Sequence, residues 1–154
     1  MRLYKTGTRW CFWRWTFVDS DYITRLHILK TPWFAICLHW INSPDPEPYL
    51  HDHPVSFLSL ILWGWYEEHR GERGIILRQR WWNWIRATDR HTICEVAPRG
   101  ALTLCLMGPK VREWGFHGVQ LLDGQLIPRD GASLYWKDYH HVQRDLAAMG
   151  KAVR

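Results

Sequence analysis

Apolar and polar positions alternate with a period of two along most of the chain, the pattern of strands rather than helices. Residues 22–29 and 33–41 are two β-prone runs, and the intervening Lys30-Thr31-Pro32 predicts a hairpin with a proline-containing turn. Asn42-Ser43-Pro44-Asp45-Pro46-Glu47-Pro48 carries three prolines in seven residues. Neither a helix nor a central strand tolerates that, so a rigid extended loop is expected. Residues 55–66 are apolar on both alternating faces, with Val55, Phe57, Ile61 and Trp63 on one and Leu58, Leu60 and Leu62 on the other. Such a strand must be covered on both sides, by a second layer or by a subunit interface. Gly64 interrupts it where a bulge or bend costs little.

Further along, residues 67–74 read as a charged turn and residues 75–85 as one or two strands. Residues 90–96 and 101–107 are strands around the turn Ala97-Pro98-Arg99-Gly100, and Gly108-Pro109 breaks the chain before a run at 111–116. Residues 138–153 have helix-forming composition and predict a short solvated C-terminal helix. Seven or more short strands at this spacing predict an all-β antiparallel sandwich or barrel. With no internal repeat and no linker, one domain is expected over residues 1–154, its core at about 22–136.

Composition changes the picture in two places. There are 12 Trp against 5 Phe and 6 Tyr. Indoles carry a large apolar face and one N–H donor, which suits barrel walls, stacking surfaces and interfaces better than a helical bundle. The net charge of +5 comes from scattered rather than blocked basic residues, as on an ordinary solvated surface. The cysteines Cys11, Cys37, Cys94 and Cys105 are far apart with no C-x-x-C, so free thiols in a reducing cytoplasm are expected. Residues 1–8 are polar and the longest apolar stretch, 54–65, is short of the ~20 residues of a membrane helix, so no signal peptide and no membrane partner are expected.

The sharpest local feature is His51-Asp52-His53. In a strand, residues two apart project from one face about 7 Å apart, so two imidazoles converge as a bidentate metal chelate. An isolated H-x-H is more often a pair of polar residues at a loop mouth. Here a rigid proline loop precedes it and a two-sided apolar strand follows, which places it at the entrance to a core. Asp52 has the wrong parity to join the two histidines. His39 shares a strand face with Ala35 and Cys37 and is expected either to line the interior behind the metal ligands or to sit hydrogen-bonded in the core. His117 reads as a turn cap; His27, His69, His140 and His141 read as surface residues.

Two segments interleave cations with indoles: Arg9-Trp10-Cys11-Phe12-Trp13-Arg14-Trp15 and Arg78-Gln79-Arg80-Trp81-Trp82-Asn83-Trp84. Single-stranded nucleic acid binds such segments by phosphate pairing and base stacking, with Trp82 and Trp84 as the better stacking pair. Strand alternation alone also produces the pattern, with indoles packed and arginines snorkelling, and that plainer reading is favoured.

At this point the sequence resembles the cupin superfamily. His51-x-His53, three residues, an acidic position, six residues and a glycine is the spacing of the first cupin motif, kept here through Phe57 to Gly64. Arg86-Ala87-Thr88-Asp89-Arg90-His91 keeps the spacing of the second motif, with Glu95 at its asparagine position. Segments such as Leu50-His51-Asp52-His53-Pro54 and Gly108-Pro109-Lys110-Val111-Arg112-Glu113-Trp114 look like those of small phage and bacterial cupin-like proteins. The resemblance implies a cupin-type double-stranded β-helix, or jelly-roll barrel, and three ligands, His51, His53 and His91. Phe57 stands where the cupin glutamate ligand would be, and the second motif has Arg86 and Thr88 in place of its proline and glycine. Three histidines alone would leave two or three positions open on a metal, and Glu67, Glu68 or, with its wrong parity, Asp52 could supply a carboxylate from the barrel rim.

Three functions are therefore expected in descending order. The first is a metal-dependent small-molecule enzyme of oxygenase-like type, holding one divalent transition metal (iron, manganese, nickel, copper or zinc) in a pocket walled by Trp and Phe, with Phe57, Glu67 and Glu95 beside it. The second is a non-catalytic cupin that binds a sugar, nucleotide or other small ligand. The third is a single-stranded nucleic-acid or nucleotide binder. The two-sided strands predict a homodimer.

Overall fold

The computed structural model describes residues 11–18, 22–47, 49–71, 75–122 and 125–135, of which 11–18 are described in backbone only. These form strands β1 (Cys11–Val18), β2 (Ile23–Lys30), β3 (Ala35–Ile41), β4 (Leu50–His51), β5 (Phe57–Trp63) and β6 (Tyr66–Arg70). They continue as β7 (Ile75–Gln79), β8 (Trp82–Ile85), β9 (His91–Val96), β10 (Ala101–Met107), β11 (Gly115–Leu122) and β12 (Gln125–Tyr135). Two six-stranded antiparallel sheets result, ordered β1-β2-β3-β10-β5-β8 and β12-β11-β4-β9-β6-β7. This is the jelly-roll barrel the resemblance implies. No helix among the described residues is long and apolar enough to cross a membrane. The expected C-terminal helix, His140, His141, and the Arg9-Trp10 start of the first Arg/Trp segment lie outside the described residues.

The β2–β3 hairpin forms around a turn in which Thr31 does most of the bonding. Its amide and hydroxyl both donate to the Phe34 carbonyl, at 2.9 and 3.0 Å, and its Oγ1 accepts from the amides of Trp33 and Phe34. Gly64 ends β5 with φ 77°, and a Cβ there would collide with the Gly100 carbonyl oxygen. This glycine carries the chain from the first sheet into the second, so a bend replaces the single long strand expected over 55–66.

Two expectations need correcting. The charged turn expected at 67–74 is instead strand β6 through Arg70, because Glu67 to Arg70 pair on one side with β7 and on the other with β9. The run expected at 111–116 starts as a loop, and β11 begins only at Gly115, running on to pair with the unanticipated β12.

Between the sheets, Ile23, Ile41, Ile61, Tyr66, Ile93 and Ala101 form the main apolar cluster, and Phe116 and Val119 a smaller one. The interior also buries His27, His39, Ser59, Glu68, Asn83, His91 and Thr103, an unusual polar load for a small barrel. Buried polar groups require partners, and their partners define the site.

Candidate metal centre

Strand β4 is only two residues long, yet it lies between β9 and β11 and fixes the centre's register. His51 stands opposite His91 on one side and opposite Phe116 on the other. Beyond it the chain is held by the Asp52 amide, which donates to Gly115 O at 3.1 Å, and by the His53 amide, which donates to Ala87 O at 3.2 Å. His53 therefore points the same way as His51, as its parity requires. The three imidazoles form a nearly equilateral triangle, with centroid separations of 5.1 Å (51–53), 4.9 Å (51–91) and 4.9 Å (53–91). One nitrogen from each lies within 4.8 Å of the others.

Carboxylates stand behind two of these rings. Glu68, fully buried, accepts a 2.7 Å hydrogen bond from His91 Nδ1–H. A carboxylate acceptor keeps Nδ1 protonated, so Nε2 of a neutral His91 presents its lone pair to the interior. That lone pair meets His53 Nε2 at 2.7 Å. Asp45 Oδ2 lies 3.8 Å from His51 Nδ1 and accepts from the Ile93 amide at 2.6 Å and from Thr92 Oγ1 at 3.2 Å. Imidazoles oriented from behind by carboxylates, with their other nitrogens converging, are what metal sites require.

Burial drives the electrostatics. It pushes His51 down to about 4, with Asp45 opposing and His91 reinforcing. It lowers His53 well below the usual histidine value too, helped by His91 and His51. Neutral imidazoles are the ligating form. For Glu68, burial works upward but is outweighed by the bond and charge of His91, then by Arg70 and Gln79, so its carboxyl is held below its ordinary value. Arg70 Nη2 reaches Glu68 Oε1 at 2.6 Å, where Gln79 and Asn83 also donate, at 2.8 and 3.1 Å. With both oxygens occupied, Glu68 orients His91 rather than facing the centre. The donor set fits a divalent transition metal: three buried or half-buried imidazoles, with His91 positioned from behind by Glu68.

The remaining candidates separate cleanly. His39 and Phe57 line the same cavity as the triad, which encloses about 90 Å³, and the Phe57 ring meets His53 edge-on at 4.9 Å. Glu67 does not line it; this carboxylate turns outward to Arg78 Nε at 2.7 Å. Glu95 is exposed and pairs across the strand with Glu67, away from the cavity. The rim carboxylate near the centre is Glu68, which shares the inner face of β6 with Tyr66 by ordinary alternation, whereas the extra β9 residue Cys94 at the bulge turns Glu95 outward. Asp52 is buried but turned away, accepting from the Gly115 amide and from His117 Nε2, both at 2.9 Å, and pairing with Arg112. His117 thus ties down Asp52 rather than capping a turn.

His27, expected at the surface, is buried with Cys37 Sγ 3.2 Å from its Nδ1, because β2 contributes it to the core. Cys37, Cys94 and Cys105 are free thiols, as expected. The cavity walls differ from the expectation: Ile23, Ile41, Ile85 and Ile93 join Phe57, and no described Trp lines them. Trp82 and Trp84 do share a face, but it is the exposed outer face of the first sheet. Asp45 and Arg25 escaped the sequence reading. The flanking prolines of Pro44-Asp45-Pro46 were the one local hint for Asp45.

No family model matches the chain, and no curated protein matches it. Solved structures do. A candidate mannose-6-phosphate isomerase from Ralstonia eutropha is 14% identical, with 60% of this chain and 89% of that one covered at a TM-score of 0.52. AerE from Microcystis aeruginosa is 12% identical at a TM-score of 0.52, the match covering 79% of this chain and 60% of that one. An RmlC-like cupin from Shewanella frigidimarina is 15% identical, with coverages of 63% and 84% and a TM-score of 0.49. At such identities the two likenesses with a TM-score of 0.52 establish the fold, a cupin-type barrel, and nothing about the reaction.

Proposed function

We propose that the protein is a metal-dependent small-molecule enzyme of oxygenase-like type, in which His51, His53 and His91 hold one divalent transition metal. The observation that carries the reading is the convergence of three imidazoles, with a carboxylate hydrogen-bonded behind His91 and another near His51. When bound, iron, manganese, nickel, copper or zinc would supply Lewis acidity and coordination positions not filled by protein, and iron would add dioxygen chemistry. The chain's own contribution is orientation and exclusion of water. Glu68 keeps the His91 proton on Nδ1, Asp45 restrains His51, and Phe57 with the isoleucines keeps the cavity dry.

Elemental analysis of untagged protein tests this, beside a His51→Ala/His53→Ala variant. About one metal ion per chain, as a single site implies, is expected in the wild type and none in the variant. Absence from both after reconstitution would overturn it.

Phe57 at the place of the missing carboxylate favours a second reading, a non-catalytic barrel that binds a sugar, nucleotide or other small ligand directly on its histidines. Ligand affinity unchanged in a metal-free His51→Ala variant would support it. A nucleic-acid role finds less support, since the Arg78 guanidinium is already engaged with Glu67 and lies 4.2 Å over the Trp65 ring. The expected homodimer would use the exposed outer face of the first sheet, where Trp40 stacks on Trp63 at 5.6 Å; sedimentation equilibrium checks it. Free Cys37 and Cys105 support a cytoplasmic, reducing setting.

A further inference from the structure

The cavity that holds the triad contains one permanent cation. Arg25, on β2, lines it together with His39, and the Arg25 Nε donates to His39 Nε2 at 2.7 Å. Because that nitrogen accepts, neutral His39 carries its proton on Nδ1, which lies 3.3 Å from Cys105 Sγ. Cys105 in turn lies 3.7 Å from Ser59 Oγ and 3.4 Å from Thr103 Oγ1. Burial, followed by the Arg25 charge, holds His39 well below its ordinary value, as an acceptor requires. Among the described residues the guanidinium is thus anchored at Nε alone. Among the described residues no carboxylate pairs with Arg25, and both Nη nitrogens remain for a ligand.

The charge balance of the cavity points the same way. No Asp or Glu side chain lines it. Glu68 and Asp45 lie behind the imidazoles, and Glu68 is already matched by Arg70. A divalent ion on three neutral imidazoles would add further uncompensated positive charge beside Arg25. Burying that much charge of one sign is costly unless the ligand is an anion. A planar fork of two N–H donors fits a carboxylate bidentately. The small volume, the isoleucine walls and the absence of any helix N-terminus or glycine-rich loop among the described residues argue against a phosphate.

We infer that Arg25, held by His39, is the anchor for the carboxylate of a small carboxylic-acid substrate whose other end faces His51, His53 and His91. This rests on the proposed metal reading and names its substrate class. Isothermal titration calorimetry with acetate, pyruvate and oxalate tests it on reconstituted protein, with hydroxyacetone as the neutral counterpart of pyruvate and inorganic phosphate as the competing anion.

At least one carboxylate should bind the wild type and lose about tenfold or more in Arg25→Gln, the scale of a lost charge-assisted pair. Arg25→Lys should lie between, and hydroxyacetone should not change. His39→Leu should weaken the carboxylate while His39→Gln, which restores an acceptor, recovers it. Metal content should stay at the wild-type value in every Arg25 variant that folds. Equal carboxylate affinity in wild type and both Arg25 variants, no carboxylate binding at all, or an Arg25 dependence confined to phosphate would each overturn the inference. The two proposals fail separately. Metal at stoichiometry with Arg25-independent binding removes the anchor alone, and Arg25-dependent binding by a protein that never takes up metal removes the metal centre alone.

Discussion

Strands β3, β10, β5 and β8 have two faces: the inner one mixes buried apolar residues (Ile41, Ile61, Ile85, Ala101) with a polar set, and the outer one is rich in exposed apolar residues. The inner face presents His39, Thr103, Cys105, Ser59 and Asn83, all buried and hydrogen-bonded. The outer face presents Trp40, Leu62, Trp63, Trp82, Trp84 and Leu106, all exposed by more than a third of their area. The difference teaches that alternation sets which residues share a face without saying which face is inside. Here a polar cluster shares the protected side with the isoleucines, where the low dielectric strengthens each hydrogen bond and fixes each tautomer. The exposed apolar residues lie on the side where a partner can cover them.

The hardest way to break this arrangement is to remove its buried anion. Glu68→Ala takes the acceptor from buried His91 Nδ1 and the ion-pair partner from half-buried Arg70, which keeps Asn83 Oδ1, and an unsatisfied buried donor costs about 1–3 kcal/mol. A large fall in the urea midpoint is expected, with metal affinity reduced as well, since loss of a carboxylate behind a ligating histidine costs roughly 10–100-fold. Glu68→Gln, which keeps an acceptor oxygen, should recover part of the stability.

Acid is a milder probe of the same interior. The folded-state values of His39, His51 and His53 are all lowered, so between the unfolded value near 6.5 and the folded value the unfolded chain binds protons that the folded chain refuses. The stability of metal-free protein is therefore unaffected above that range and falls as pH drops through it. For His51 the loss is about 1.4 kcal/mol per pH unit and levels off below about 4, where both states are protonated. Urea titrations at pH 7.5, 6 and 5 on chelator-treated protein measure the slope. A flat profile would mean that these imidazoles are not held neutral.

The smallest effect is expected outside. Trp82→Ser removes an indole that is 61% exposed, and it should change the stability of the single chain by no more than about 0.5 kcal/mol and leave metal content unchanged. Its effect belongs in self-association, read by sedimentation. A loss of several kcal/mol in a monomeric variant would show the outer face to be structural.

Much of the site could be anticipated from local pattern. The parity of His51 and His53, the bend at Gly64, the Thr31-containing hairpin and the strands around the 97–100 turn are all consequences of neighbouring residues, and the structure bears them out. His91 followed from motif spacing and resemblance, and its cross-strand register places it opposite His51. The carboxylates could not be chosen in the same way. Glu67, Glu68 and Glu95 are equally acidic on paper; the face that β6 turns inward decides for Glu68 over Glu67, and an extra residue in β9 at Cys94 takes Glu95 off the face of His91 and Ile93, because a shift of one reverses the side chains that follow.

Local sequence, then, determined the strands, their turns and the paired imidazoles, since dihedral preference and period-two geometry act within a few residues. Tertiary structure alone decided that Asp45 reaches His51 from a proline loop, that Glu68 rather than Glu67 stands behind His91, and that Arg25 meets His39 inside the barrel. Those contacts join positions far apart in the chain, and sheet register and closure of the two sheets bring them within hydrogen-bond or ion-pair reach.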